Sequence, residues 1–536
     1  MTLSSSFKTF LMLSAAVLIS TQAVNAQNDT RSIPAGTVSS APMDSLDPSQ
    51  PATEAKIIEE GDGGATPKPA PKAAKDSVKL TGQQTYIQPK ASDLTPIAGS
   101  VTATNVSNKP LLDALRTAYI NNPTLRAARA ELRAAAEVLP QAQSGWMPRA
   151  DATGTLTTAD IDPSSTGDGT TSQELGLNLT QPLYRGGRTV SATDSAEKRI
   201  MAQGAILNAT EQLILLNVAT AYMDVVRDKA LVDLSQNNID VVSRQMDASR
   251  SRFEVGEVTR TDVAQSEARL ARAQANRTTA LGNLKTSLAV YEQLVGTSTD
   301  NLVQTDVNFA FPKNLNEAVS LGEVNNPTVV ATNFLHQSSE QDIGTVFGEL
   351  LPELGLAASA TKTWDPQPGG LQDQTVKSLS LIATVPLYEG GYTRSRVRQA
   401  KYTANQRYIQ IVEAKREARQ NVISSWETWK ASQGEIESRK SQVEANRVAQ
   451  EGVRQEADLG TRTILDALDA DQEYLDAQVA LVTAQRDEIV ASFNLARSLG
   501  ILTPQTLGFP ELAYDPVADW KRADWNMIGM GVDRVE

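Results

Sequence analysis

Duplication, heptad-spaced helices and paired alternating strands together predict a mostly α-helical protein with a small β part, built as two internal repeats. Pro182-Leu183-Tyr184-Arg185-Gly186-Gly187 returns as Pro386-Leu387-Tyr388-Glu389-Gly390-Gly391, an offset of 204 residues. The same offset links Asn121-Asn122-Pro123 to Asn325-Asn326-Pro327, Gly256 to Gly460 and Asp262 to Asp466. A period this long is a whole structural half rather than a solenoid repeat, so internal pseudo-symmetry is expected.

Residues 1–26 carry a cationic start at Lys8, an apolar run through Phe10-Leu11-Met12-Leu13 to Ile19, and a Val24-Asn25-Ala26 end of A-x-A type. They read as a cleaved secretory signal. No later stretch approaches roughly 18 uninterrupted apolar residues, so no membrane-spanning helix is expected. Residues 27–108, with Gly61-Asp62-Gly63-Gly64 and Pro67-Lys68-Pro69-Ala70-Pro71-Lys72, lack apolar periodicity and read as a disordered or extended periplasmic arm. Residues 109–312 and 313–516 form the two repeats, and residues 517–536 a C-terminal tail.

Within the first repeat, Leu111, Leu115, Ala118, Leu125, Ala128 and Leu132 fall at helical spacings, predicting an amphipathic helix to about Leu139. Its mate begins at Leu315. Leu175, Leu177 and Leu179 then alternate with Gly176, Asn178 and Thr180, as Leu379, Leu381 and Ala383 alternate with Ser380, Ile382 and Thr384. Period two predicts strands with unlike faces. Each has an upstream partner, Asp151 to Thr158 or Leu354 to Trp364, so each half carries one hairpin. Long helices follow, from about Thr189 to Arg252 and from about Thr393 to Glu456. A third helix of each half starts after Gly256 or Gly460. Leu281, Leu284, Leu288, Tyr291 and Val295 form a heptad seam, as do Leu475, Val479, Val482, Ile489 and Phe493. Helices this long need neighbours to bury such stripes, and packing alone accounts for them without a cofactor.

The formal charge of −13 argues against nucleic acid as a partner. With no cysteine there is neither a disulfide framework nor a thiolate metal site. His336 is the only histidine, which removes histidine-based triads and multi-histidine metal centres. The chain is expected to be no enzyme and to hold no metal. Four strands have the length to cross an outer membrane, yet a closed bacterial barrel needs about eight. One chain cannot close it, and oligomerisation is the simplest remedy for open edges in lipid.

The Asn-Asn-Pro segment, the doubled Pro-Leu-Tyr-x-Gly-Gly turns, Arg252-Phe253-Glu254-Val255-Gly256-Glu257-Val258-Thr259-Arg260-Thr261-Asp262 and Gly460-Thr461-Arg462-Thr463-Ile464-Leu465-Asp466-Ala467-Leu468-Asp469 resemble the TolC family of outer-membrane efflux and type I secretion channels. The resemblance covers about Leu111 to Leu502. It implies a homotrimer whose 12-stranded transmembrane β-barrel continues into a 12-helix periplasmic α-barrel. Such a tunnel docks at its tip onto a periplasmic adaptor and an inner-membrane transporter of the ABC or RND type.

In that architecture Pro182, Gly186, Gly187, Pro386, Gly390 and Gly391 are strand-to-helix joints. Pro cannot donate to a ladder, and paired glycines accept backbone angles that other residues resist. By resemblance Asp466 and Asp469 are the constriction aspartates of a cation-selective periplasmic gate. They open a row continued by Glu473 and Asp476, which on its own reads equally as a solvated helix face. Arg462, Thr261 and Asp262 match the family's latch between neighbouring hairpins. Ala457 departs from it, because well-known members have a tyrosine there. Val255, Gly256, Val258, Leu459, Gly460 and Thr461 form the adaptor-docking tips. The cargo reading is type I protein secretion, with small-molecule efflux as alternative and a non-conducting coiled-coil tether as the competing structural class.

Overall fold

The computed structural model describes residues 109–159, 170–298, 302–305, 307, 309–364 and 373–524. The signal segment, the arm and the last residues of the tail lie outside these. The first repeat runs α1 (Lys109–Asn121), α2 (Pro123–Ala136), α3 (Val138–Gln143), β1 (Arg149–Ala159), β2 (Thr170–Arg185), α4 (Arg188–Glu254) and α5 (Arg260–Val295). The second runs α6 (Leu315–Asn325), α7 (Pro327–Phe347), β3 (Glu353–Trp364), β4 (Gln374–Thr384), α8 (Tyr392–Asp458) and α9 (Ile464–Ser498), followed by α10 (Pro516–Ala523). The element order recurs, except that α7 alone spans the length that α2 and α3 divide in the first half.

The single opening helix expected from Leu111 to Leu139 is instead broken twice. Pro123 has no N–H and pushes Asn122 to an extended ψ of 123°, so α1 stops there. The Asn122 side chain then caps α2, accepting from the backbone N–H groups of Thr124 (2.9 Å) and Leu125 (3.3 Å). Asn326 and Pro327 repeat the device at the start of α7.

Helices α4 and α8 each run 67 residues, a length of roughly 100 Å. α5 packs along α4, while α7 and α9 each pack against both α4 and α8. Ser195 and Arg199 near the start of α4 meet Ser338 and Asp342 on α7, whereas Asp224 near its middle meets Arg486 on α9. α7 therefore covers the sheet-proximal half of α4 and α9 the half beyond its midpoint. The chain is a palisade of rods with its large aromatic core at mid-length. There Tyr119, Tyr222, Tyr291, Phe309 and Phe493 are buried, and the Phe309 and Phe493 rings meet edge to face at 5.1 Å. Towards the far ends the seams narrow to small residues such as Ser249, Ser266, Ala273, Ala467 and Ala477.

The C-terminal segment is not loose where it is described. Tyr119 Oη donates to Glu211 (2.7 Å), the Tyr514 amide donates to Tyr119 Oη (3.1 Å), and the Arg129 guanidinium lies 4.6 Å from the Tyr119 ring centre. Arg133 meets Asp519 at 3.4 Å, and Gln143 donates to Asp524 at 2.7 Å. Burial pushes the Glu211 carboxyl up. These contacts strap α10 onto α2 and α3.

The four strands form one antiparallel sheet in the order β1-β2-β3-β4. Register pairs Leu177 with Ala152 and Ala360, and Leu179 with Ala150 and Ala358, while Ala358 pairs with Leu379 and Leu356 with Leu381. Directly paired residues share a face, so one face is a band of Leu and Ala. The other carries Asp151, Thr153, Asn178, Thr180, Ser359 and Ser378, with Asn178 donating to Asp151 and Ser359 bonded to Ser378. The apolar face is bare: Leu177 is 59% exposed, Leu379 73% and Leu381 64%.

Pro182 is a correction to the predicted joints. β2 runs through it to Arg185, pairing it with Gly355, and the register shifts between Pro182 and Tyr184. Such an irregularity accommodates a residue with no donor. β4 ends at Thr384, before Pro386. The true joints are the glycine pairs, which hold positive φ in both halves: Gly186 at 60° and Gly187 at 75°, Gly390 at 60° and Gly391 at 83°. Their surroundings differ. A Cβ on Gly186 would lie 2.3 Å from the Gly348 carbonyl oxygen, whereas one on Gly390 meets nothing within 4 Å. Gly390→Ala is therefore expected to cost only the strain of a positive φ, about 1 kcal/mol. Gly186→Ala adds a backbone clash of about 1–3 kcal/mol, so it should lower the thermal midpoint distinctly more. Equal midpoints for the two variants would contradict the tight first joint.

Candidate functional site

Each long helix is turned back at its far end by the same chemistry. At the first tip Gly256 takes φ 80°, its amide donates to the Phe253 carbonyl (3.0 Å) and the Glu257 amide to that of Arg252 (2.9 Å). At the second, Gly460 takes φ 75°, with Gly460 donating to Ala457 (3.1 Å) and Thr461 to Glu456 (2.9 Å). Both are Schellman turns, which need a left-handed residue after the helix end. Gly256 and Gly460 are open on their outer side, and beside them Val255 and Leu459 are 72% and 81% exposed. Val258 is half-buried and Thr461 exposed. Two bare apolar side chains thus stand at the ends of the rods.

The returning helices begin with capping boxes. The Thr259 amide donates to Asp262 (2.8 Å) and the Asp262 amide to Thr259 Oγ1 (3.3 Å). Thr463 and Asp466 repeat this at 3.2 Å in both directions. Asp262 and Asp466 are therefore helix caps whatever else they do. The amide and hydroxyl of Thr259 hold the Asp262 carboxyl below its usual range, and Thr463 does the same for Asp466.

The predicted site residues are partly brought together. Asp466 and Asp469 lie one turn apart at the start of α9, and both Asp262 and Thr261 lie at the start of α5. Within the chain Arg462 does not pair with Asp262; its partner is Glu456 on its own tip, at 3.0 Å with both side chains 51% exposed. The acidic row is not purely solvated either, because Asp476 accepts from Gln472 (2.7 Å) and Asp469 accepts from Arg269 (2.6 Å).

Sequence reasoning missed the links between rods. Arg250 meets Glu267 at 2.9 Å and Arg454 meets Asp471 at 2.7 Å, each pair joining the two helices of one hairpin. Adding 204 to the first pair gives the second, so the duplication itself could have revealed them. Asp471 is buried and also accepts from Gln450 at 2.8 Å. A second set, Arg252 to Asp458 (3.6 Å) and Arg269 to Asp469, crosses between the two hairpins.

Long rods ending in capped tips, and joined at the other end to a sheet with one apolar and one polar face, define a channel-tunnel of the outer membrane. The family model described as outer membrane efflux protein matches residues 114–297 and 318–501, two stretches that are themselves 204 residues apart, and the chain belongs to that family. It is 31% identical to the outer membrane efflux protein BepC of Brucella suis over 79% of this chain and 92% of that one. It is 27% identical to the outer membrane protein TolC of Escherichia coli over 74% and 83% respectively. The crystal structure of the outer membrane protein VceC from Vibrio cholerae superposes with a TM-score of 0.63, covering 74% of this chain and 97% of that one at 19% identity. The protein is accordingly an outer-membrane channel with a periplasmic tunnel and not an enzyme, and the tether reading falls.

The caps set a pH dependence for the tips. Asp262 and Asp466 are depressed below the ordinary aspartate value of 3.8, so their contribution to folding is fully present above that value. It is lost as the pH falls through the lower value of the folded state. Hydrogen exchange should show the first turns of α5 and α9 opening on acidification below about 3.8 before the mid-length core does. Tip protection that outlasts core protection at acid pH would argue against the caps.

Proposed function

We propose that three copies of this chain close into a homotrimer, supplying a 12-stranded barrel in outer-membrane lipid and a periplasmic barrel of twelve helical rods. Open edges on both β1 and β4 support it, as do the exposed Tyr402, Tyr408, Ile409 and Val448 on α8. The trimer is the exit duct of a tripartite export system. It opens at its periplasmic tip when it docks onto an adaptor and an inner-membrane transporter of the ABC or RND type.

The observation that carries this reading is the position of Asp466 and Asp469 at the end of a rod roughly 100 Å from the sheet. In a trimer they form two acidic rings at the entrance, attracting cations and repelling anions. Arg462, Thr261 and Asp262 serve as a latch between neighbouring chains. An exposed pair of this kind is screened by solvent and weak enough for a partner to exchange. Val255, Gly256, Val258, Leu459, Gly460 and Thr461 receive the adaptor, whose helices need the close approach that glycine allows. In a planar bilayer, replacing both Asp466 and Asp469 by Ala is expected to reduce the cation preference, and Arg462→Ala to raise the resting conductance. An unchanged reversal potential removes the aspartates from the gate, and a quiet Arg462→Ala channel removes the latch.

The cargo we assign is protein, through a type I secretion system, on the likeness of the Arg260-Thr261-Asp262 and Arg462-Thr463 tips to secretion members. Small-molecule efflux is the second reading, favoured by the efflux name of the Brucella suis relative. Mass spectrometry of the culture medium with and without the chain decides between them. Loss of one or a few abundant secreted proteins is expected; an unchanged set with increased sensitivity to toxic compounds would select efflux.

A further inference from the structure

The repeats are alike in backbone and unlike in tip charge. Arg252 and Arg269 of the first hairpin stand where the second has Glu456 and Glu473, because each pair differs by 204. Asp469 of the second hairpin stands where the first has the neutral Gln265. At these diverged tip positions the cations lie on α4 and α5 and the acids on α8 and α9. The structure joins them: Arg269 Nη2 lies 2.6 Å from Asp469 Oδ1, with side chains 31% and 59% exposed, and Arg252 lies 3.6 Å from Asp458. A chain made of either half repeated exactly would lack the Arg269–Asp469 contact.

We propose that Arg269 is a selectivity-determining residue of the entrance, masking Asp469 in the closed state and exposing it as the hairpins separate. This rests on the gate reading of Asp469. While the tips are together, the guanidinium cancels the charge of the Asp469 ring, which leaves Asp466 as the main field of the entrance. Outward movement of the α8–α9 hairpin pulls Asp469 from Arg269, so the entrance grows wider and more negative in one step. The contact is exposed, and its Coulomb attraction is modest in water and screened by salt, so it is a bond that docking can break. Aperture and cation preference are thereby coupled through one ion pair.

The test measures reversal potential under a KCl gradient for the purified full-length channel and four variants whose assembly matches wild type on native gels. Arg269→Gln is expected to raise the cation-to-anion permeability ratio about twofold, since it unmasks one carboxylate per chain at the mouth of a confined pore. Asp469→Asn should lower the ratio by leaving the guanidinium uncompensated, and the Arg269→Gln/Asp469→Asn double variant should return towards wild type, because it removes a cancelling pair and leaves the net charge unchanged. Arg269→Lys keeps the charge and should stay near wild type. An unaltered Arg269→Gln beside a shifted Asp469→Asn overturns the inference while leaving the gate standing. An unaltered Asp469→Asn overturns the gate reading, and this inference with it.

Discussion

The structure is governed by the backbone of its four strands. In hydrocarbon no water can satisfy an N–H or C=O group, and each one left unpaired costs several kcal/mol. β2 and β3 are paired on both sides, but β1 and β4 on one only. An apolar face of Leu and Ala fits the sheet for lipid, while its edges forbid it to stand there alone. Association of chains is therefore a condition of insertion, and the proposed closure by three copies removes every edge. The rods must follow, since each leaves the sheet through a glycine joint that sets its direction.

Along the rods, packing sorts rigidity from mobility. At mid-length Tyr119, Tyr222, Tyr291, Phe309 and Phe493 interlock, and the C-terminal segment is tied to α1 and α2 by Tyr514 and Asp519. Aromatic groups bury the largest areas and fix that level. Beyond it, the seams hold Ala and Ser with ion pairs at their margins. Small side chains remove little apolar surface from water, so two hairpins can separate at the tips at small free-energy cost while the girdle stays closed. The proposed gate lies at that weakly packed end.

Much of this was legible in the chain. The offset of 204 located the duplicated elements, the period-two Leu runs located β2 and β4, and Gly256 and Gly460 located the turns. The break at Asn122 was written in Asn-Asn-Pro, yet apolar spacing alone carried the predicted helix across it. The continuation of β2 through Pro182 was not legible, because it depends on the register of β3 opposite. The roles of Asp262 and Asp466 as caps followed from Thr-x-x-Asp, a local signal overshadowed by their charge. The link from Arg269 to Asp469 joins residues 200 apart on different helices, and no periodicity reports it.

Duplication explains why the tip carries two kinds of charge contact. Contacts inside a hairpin, Arg250 to Glu267 and Arg454 to Asp471, are inherited in both halves and staple each helix pair. They matter most where they are buried: Asp471 without Arg454 would be a carboxylate out of water, at a cost of about 1–3 kcal/mol. Contacts between hairpins draw on differences between the copies, Arg269 standing where the second has Glu473 and Asp469 where the first has Gln265. The cross-links are Arg252 to Asp458 and Arg269 to Asp469. The staples keep each hairpin a unit, and the exposed cross-links let the units part. A duplicated fold thus gains a movable joint by diverging in charge at a few surface positions while its backbone and core remain nearly symmetric.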